Sequence, residues 1–229
     1  MKLTIIGYGK MGKMVEKFAR NIGHEITSII DPGKFGNRID APTIKETDVC
    51  IDFTNPACVL NNIERVVSLG KEMVVGTTGW ENHVDLVKEW VEKNQTGFLY
   101  GSNFSIGVNL FLKAIEKASE IFAPYMEYDI GTWEAHHKHK ADSPSGTAKA
   151  ILHTIEREAN RPPGSITTNS IRCGSLPGTH TVIFDSPHDT ITFTHVARNR
   201  EGFAQGAIKA AEWLKGKKGF YTFNDICKN

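Results

Sequence analysis

Lys2-Leu3-Thr4-Ile5-Ile6-Gly7-Tyr8-Gly9-Lys10-Met11-Gly12 is the stretch whose reading decides the fold. Lys2 to Ile6 is a short β-rich run, and Lys13-Met14-Val15-Glu16-Lys17-Phe18-Ala19 beyond the third glycine has the spacing of an amphipathic helix. Strand, G-x-G-x-x-G and helix therefore follow in the order of a dinucleotide-binding unit. The glycines permit a tight turn, close backbone approach to a pyrophosphate and close helix packing, while the helix start faces the phosphates. On this reading Gly7, Tyr8, Gly9, Lys10, Met11 and Gly12 bind a cofactor. Such glycine patterns also arise by chance, so the flanking sequence has to agree. Glu25-Ile26-Thr27-Ser28-Ile29-Ile30-Asp31 is a second strand ending in an acid about twenty residues beyond the glycines, where a carboxylate accepts from the adenosine ribose hydroxyls. An Asp that merely opens the Asp31-Pro32-Gly33 turn is the competing reading, and the two are compatible. Asp31 repels a 2′-phosphate and favours NADH; Lys34 lies close enough in sequence to neutralise one, which keeps NADPH open.

Working outward, strands are expected at 48–53 and 72–75 with a helix over 57–69, so strands and helices alternate as in a parallel sheet. Phe53-Thr54-Asn55-Pro56 and Gly76-Thr77-Thr78-Gly79 fall at strand C-termini, the edge where open α/β sheets bind ligands; as plain turns they need no function. Gly97-Phe98-Leu99-Tyr100 is a fifth strand, and Gly101-Ser102-Asn103-Phe104-Ser105 leads into a long helix ending near Phe122. From Tyr128 the pattern changes to longer β stretches at 129–134, 179–185 and 190–196 with one helix between. The expected fold is an α/β Rossmann-type nucleotide-binding domain followed by an α+β domain with a mostly antiparallel sheet. A last helix over 204–215 carries Ala207, Ile208, Ala211 and Leu214 on one apolar face. Repeats, low-complexity segments and heptads are absent from the sequence.

The 229 residues suffice for one large or two modest domains, and 40% apolar with 23% charged residues is ordinary for a globular chain. A net charge of +1 provides no global field for nucleic acid or an anionic membrane, so anion recognition has to be local. Cys50, Cys58, Cys173 and Cys227 form no CxxC or zinc-like spacing and read as free thiols of a reducing compartment. The apolar run before Gly7 is too short for a signal peptide or membrane span, and the expectation is a cytoplasmic protein.

Local anion recognition has one obvious seat. Glu134-Ala-His-His-Lys-His-Lys-Ala-Asp-Ser-Pro-Ser-Gly-Thr-Ala148 packs His136, His137, His139, Lys138 and Lys140 ahead of a helix start. The histidine and lysine run is too polar to read as a buried strand, and Ser145 is placed to cap the helix opened by Gly146-Thr147. Free N–H groups and the positive dipole end at that start favour an anion. Cations, proton donors and an anion cradle together suggest a site for a small acid that must also receive a proton. Two blander readings compete. His136 and His139 have the i, i+3 spacing of metal ligands, although the lysines oppose a cation and no Cys or carboxylate nearby completes a set. A solvated basic loop is the other, and for His139 and Lys138 surface solvation is the preferred reading.

The same stretch resembles the signature of the dihydrodipicolinate reductases, enzymes of the diaminopimelate and lysine pathway. Phe53-Thr54-x-Pro56, Gly76-Thr77-Thr78-Gly79 and the Asn103-Phe104-Ser105 segment resemble that family's motifs in the same order, so the resemblance spans nearly the whole chain. It implies NADH- or NADPH-dependent reduction of the cyclic dicarboxylate imine 4-hydroxy-tetrahydrodipicolinate to tetrahydrodipicolinate. It further implies cofactor contacts from Gly76, Thr77 and Thr78, and from Gly101, Ser102, Asn103 and Phe104 near the nicotinamide. His136 is then the general acid with Lys140 as its partner in protonation and charge balance, and His137 with Ser145, Gly146 and Thr147 contacts the substrate carboxylates. Histidine suits that task because its unperturbed pKa of about 6.5 lets it carry and release a proton at neutral pH. The resemblance also implies that the last helix returns to the nucleotide domain, giving domains of 1–104 with 204–229 and of 105–203, and a homotetramer formed through the second domain's sheet. The chain departs from the family pattern at Pro177, where an apolar residue is expected, and in a shortened 159–171 segment, so that Ile171 to His180 fits the family's Arg-x-Gly and Gly-x-His pattern only in part. A different Rossmann oxidoreductase acting on an amino acid or imine, and a non-enzymatic nucleotide sensor, are the rival readings.

Overall fold

The computed structural model describes residues 1–35 and 38–226, and Cys227, one of the four expected free thiols, lies outside the described residues. The chain forms two compact units, Met1–Ser105 with Glu201 onward, and Ile106–Arg200.

In the first unit β1 (Lys2–Ile6), α1 (Lys10–Asn21), β2 (Glu25–Ile30), α2 (Pro32–Phe35), α3 (Ala41–Ile44), β3 (Val49–Asp52), α4 (Pro56–Ser68), β4 (Glu72–Val75), α5 (Val84–Asn94) and β5 (Gly97–Tyr100) follow one another. The second unit holds α6 (Ile106–Phe122), β6 (Asp129–His136), α7 (Gly146–Glu158), β7 (Thr167–Arg172), β8 (Thr179–Asp185) and β9 (Thr190–Val196). The chain then re-enters the first unit as α8 (Glu201–Leu214), β10 (Gly219–Thr222) and α9 (Phe223–Ile226).

The first unit's sheet is parallel, in the order β10-β5-β4-β3-β1-β2. Its central strands β3 and β4 are apolar throughout apart from Asp52 and Glu72, as strands covered on both faces must be. One cover is a core of Ile63, Val66, Val67, Trp80, Val87 and Val91 with the strands. The opposite cover comes from α1 and α8, which pack against each other, α8 also lying on β3, β4 and β5. Two expectations shift here, and one strand is new. The first helix starts at Lys10, inside the glycine pattern, so Gly12 is helical. Asp31 leads directly into the short helix α2 instead of an open turn, and β10 had no sequence reading.

Why α8 fits is visible in its small residues. Gly206 is buried, and a Cβ there would stand 1.7 Å from the Phe104 carbonyl oxygen. Phe104 is itself buried between Phe53 and Phe223, with ring centroids at 5.8 and 5.0 Å. Gly206 therefore lets the last long helix press against the loop that follows β5.

The second unit's sheet runs β7-β6-β8-β9, with β6 and β7 parallel and the other pairs antiparallel. Helices α6 and α7 pack together against one face through Ile115, Ile151, Ile155, Val182 and Phe184. Strand β7, Thr167–Arg172, had no strand reading in the sequence and occupies the end of the shortened 159–171 segment. Strand β6 also runs further than the sequence suggested. It ends at His136, only 8% exposed, so the reading of this histidine as too polar for a buried strand is corrected: a neighbouring carboxylate makes its burial tolerable.

Replacing Gly206 with Ala is expected to destabilise the protein by about 1–3 kcal/mol, because α8 or the Phe104 carbonyl has to move. Urea unfolding should show a lower midpoint at unchanged slope.

Candidate active site

The two-residue period of β6 puts Ile130, Thr132, Glu134 and His136 on the face covered by the helices. Register then completes a polar end to that face. His136 stands opposite Arg172 on β7, and Glu134 opposite both Ser170 and His180, with His195 beyond on β9. Glu134 has no exposed surface. Its Oε2 is hydrogen-bonded to His136 Nδ1, and its Oε1 accepts from Arg172 Nη2 at 2.7 Å and from the Ser145 N–H at 3.3 Å. The His180 ring meets the His136 ring edge-on at 5.1 Å, and its Nε2 lies 3.2 Å from Ser145 Oγ. Ser145 Oγ also accepts from the Ala148 N–H, the cap expected from the sequence.

These contacts set the charges. Burial pushes the Glu134 carboxyl up, but hydrogen bonds from Arg172 and Ser170 and the nearby positive charge outweigh it and hold the pKa at about 2. Burial depresses the His136 imidazole below its ordinary value, opposed by Glu134 and helped by Lys140 and Arg172. His180 is taken down to about 4, chiefly by burial and then by His136. At neutral pH the site thus holds an anionic Glu134, a cationic Arg172 and neutral imidazoles. Lys140 pairs with Asp142 at 2.7 Å, and Arg172 Nη2 also reaches the Asp142 carbonyl at 2.6 Å, so loop and strand are tied together. His137 Nε2 is 3.3 Å from Arg200 Nη2, while its Nδ1 is buried without a hydrogen-bond partner among the described residues.

The structure thus groups His136, Lys140 and Ser145 around residues that the sequence reading had not placed in the site. Glu134, Arg172 and His180 are the additions. The spacing of Glu134 and His136 by two residues would have revealed the first once β6 was recognised; the other two depend on register. The statement that no carboxylate stands near the histidines is also corrected. Glu134, His136 and His180 bring ligand-type atoms within 4.8 Å of one another, a different set from His136 and His139. With Arg172 already on Glu134 and the second oxygen on His136, we read a hydrogen-bonded network here.

In the first unit, a dinucleotide fits the loop after β1. Gly7 has φ +88°, and a Cβ there would lie 2.4 Å from the Phe53 carbonyl; at Gly12 a Cβ would lie 2.1 Å from the Gly7 carbonyl. At Gly9, by contrast, a Cβ would meet nothing within 4 Å, and no side chain caps α1 there, leaving an open helix start for a pyrophosphate. A cavity of ≈ 730 Å³ is lined by Gly7, Tyr8, Gly9, Asp31, Lys34 and Arg38 among others. A second, of ≈ 470 Å³, is lined by Lys10, Met11, Gly76, Thr77 and Thr78 and shares Gly9, Phe53, Thr54 and Asn55 with the first. Asp31 Oδ2 accepts from the Tyr8 N–H at 3.1 Å and pairs with Lys34 at 3.2 Å. Burial works against the charge of Asp31, yet these donors keep its carboxyl below its usual range. Gly101, Ser102, Asn103 and Phe104 line neither cavity; Asn103 Oδ1 accepts from the Ser105 N–H, and Phe104 packs inward.

Asp52, another residue the sequence reading passed over, holds these loops together. Fully buried at the end of β3, its Oδ1 accepts from the Thr54 N–H at 3.0 Å and from the Thr54 and Thr77 hydroxyls, each at 2.7 Å; its Oδ2 accepts from Asn62 at 2.9 Å. The Thr54 N–H also reaches Thr77 Oγ1 at 2.7 Å. Asp52 to Ala is expected to weaken nicotinamide dinucleotide binding roughly tenfold, matching ~1–3 kcal/mol for stranded buried partners, while Asp52 to Asn retains most of it. Calorimetric titration with NADH and NADPH measures this.

Glu134 gives a pH dependence of stability. Its folded pKa of about 2 lies below the ordinary 4.5, so its contribution is complete above about 4.5 and is lost as pH falls towards 2. Arg172 to Met, which leaves the carboxylate buried and unpaired, should lose about 3–5 kcal/mol at neutral pH and show a flatter acid limb. Urea midpoints across that range check both.

Comparison with known proteins agrees with both units. The family model described as dihydrodipicolinate reductase, N-terminus, matches residues 1–104, and that described as dihydrodipicolinate reductase, C-terminus, matches 107–227. A 4-hydroxy-tetrahydrodipicolinate reductase of Christiangramia forsetii is 35% identical over 235 residues, covering 99% of this chain and 97% of its own. One from Staphylococcus carnosus is 37% identical over 248 residues, covering 99% of each. Among solved structures, dipicolinate-bound dihydrodipicolinate reductase from Paenisporosarcina superposes with a TM-score of 0.83 at 23% identity over 99% of each chain, a likeness of fold. With both of its parts matched, the chain belongs to the dihydrodipicolinate reductase family.

Proposed function

We propose that this protein is a 4-hydroxy-tetrahydrodipicolinate reductase, using NADH or NADPH to reduce the cyclic dicarboxylate imine to tetrahydrodipicolinate. The observation that carries the reading is a buried His136, held by Glu134 beside the capped start of α7 and the loop bearing Lys140. When bound, the reduced nicotinamide supplies the hydride. Gly7, Gly9, Gly12 and the α1 start would hold its pyrophosphate, with Asp31 and Lys34 at the adenosine ribose and Thr77 and Thr78 along the neighbouring edge.

The chain's own residues then have three tasks. The N–H groups at the start of α7, with His137 and Lys140, attract the substrate carboxylates; Lys140 exchanges its Asp142 partner for one of them. The dianion's charge raises the depressed pKa of His136, so the imidazole takes up a proton when substrate arrives. His136 then delivers that proton to the atom made electron-rich by hydride addition. Membership of a homotetramer belongs to the same reading. It is supported by the outer face of the mixed sheet, where Trp133, Asn169, Ile171, Thr192 and Val196 are uncharged and Ile171 and Val196 are 48% and 60% exposed, with Asp129 and Asp185 at its edge. A cytoplasmic setting is supported by free thiols at Cys50, Cys58 and Cys173. No helix among the described residues is long and apolar enough to cross a membrane.

The test follows NADH and NADPH oxidation with substrate formed in place by dihydrodipicolinate synthase from pyruvate and aspartate semialdehyde. Oxidation should require the synthase and fall by roughly 10²–10⁴ in His136→Ala, with cofactor affinity unchanged. Folded, cofactor-binding protein without synthase-dependent oxidation would return the other dehydrogenase and sensor readings to the front.

A further inference from the structure

We propose that Glu134 is a positioning residue for the reduction: its carboxylate fixes His136 in the Nδ1–H form, so that Nε2 is the atom through which His136 loads and delivers its proton. The proposal rests on the reading of His136 as the proton donor.

The geometry leaves Glu134 little freedom. It is fully buried, both oxygens are engaged, and the shared face of β6 brings it to His136 without a loop between them. An ionised carboxylate only accepts hydrogen bonds, so the proton of the Glu134–His136 contact resides on Nδ1. Arg172, fixed by its register opposite His136 and by the Asp142 carbonyl, keeps Glu134 ionised. The other edge of the ring is left clear by Gly178, whose φ of +144° suits glycine, and a Cβ at that position would stand 3.1 Å from His136 Nε2. One nitrogen is thus occupied and the other has room for a reacting atom.

The proton balance follows. The imidazolium carries hydrogen on both nitrogens. As hydride reaches the substrate, the Nε2–H bond breaks, its electron pair stays on Nε2, and the proton joins the substrate atom that received electron density. Neutral imidazole remains with Nδ1–H still donating to Glu134, and Nε2 reloads from solvent. The reduced nicotinamide is the sole reductant. The titratable and charged groups facing His136 are Glu134 on its own strand, Lys140 in the following loop, Arg172 on β7 and His180 on β8. Glu134 is the one anion among them, so losing its charge makes His136 harder to protonate.

Two measurements decide the matter. Nitrogen-15 NMR of histidine-labelled wild type, with His136 assigned by His136→Ala, should show neutral His136 with Nδ1 protonated and Nε2 bare. A bare Nδ1 and protonated Nε2 would overturn the proposal whether or not any Glu134 variant folds. Glu134→Gln should keep its KM for NADH and NADPH and lose kcat roughly tenfold or more, within the ~10²–10⁴ span of a general acid. Its kcat should also begin to decline at lower pH on the alkaline side, whereas a purely structural role would leave that limb in place. Folded Glu134→Gln with an unmoved limb and an unchanged His136 tautomer would overturn the proposal. Full turnover in His136→Ala would instead remove the reading beneath it, an outcome distinguishable because the tautomer is measured without turnover.

Discussion

Glu134, a carboxylate without exposed surface, is kept charged chiefly by its pairing with Arg172. Much of the site's geometry follows from this pairing. Parallel pairing of β6 and β7 puts the guanidinium within reach, and the same guanidinium holds the Asp142 carbonyl. The loop bearing Lys140 is thereby tethered to the strand bearing His136. Glu134 in turn takes the Ser145 N–H, so the start of α7 is referenced to the same two oxygens that orient the imidazole. The His136 imidazole, the loop bearing Lys140 and the start of α7 share one anchor.

The first unit solves a similar problem by different means. Asp52 is as buried as Glu134, yet its hydrogen-bond donors among the described residues are neutral: two threonine hydroxyls, one amide side chain and one backbone N–H. Burial therefore pushes its carboxyl above the ordinary range, where a cation holds Glu134 below it. The same cost of burial is thus met by neutral donors in one unit and by a cation in the other.

Local patterns were legible in the sequence wherever one segment sufficed. The β1–glycine–α1 unit, strands β2 to β5, helix α4 and the Ser145 cap all follow from spacing and turn chemistry within a few residues of each other, whereas α3 and α5 had no sequence reading. What escaped depended on partners distant in the chain. Strand β7 alternates exposed and half-buried residues, all polar except the exposed Ile171, and only its pairing with β6 makes it a strand. His136 read as too polar for a buried strand because four polar or charged residues follow it; its burial is accommodated by Glu134, Arg172 and His180, the latter two on other strands. Motif resemblance pointed to His136 and Lys140, but the groups that set their charge are known from register alone.

The nucleotide unit is discontinuous in the chain, and this bears on how the protein is made. Until α8 and β10 leave the ribosome, β5 is an unpaired sheet edge and the surface for Ala207, Ile208, Ala211 and Leu214 is uncovered. The inserted unit has its whole sequence available earlier and can fold while the first waits. Translation order therefore favours completing the inserted unit before the nucleotide unit, and makes a later-synthesised segment the one that closes the older core.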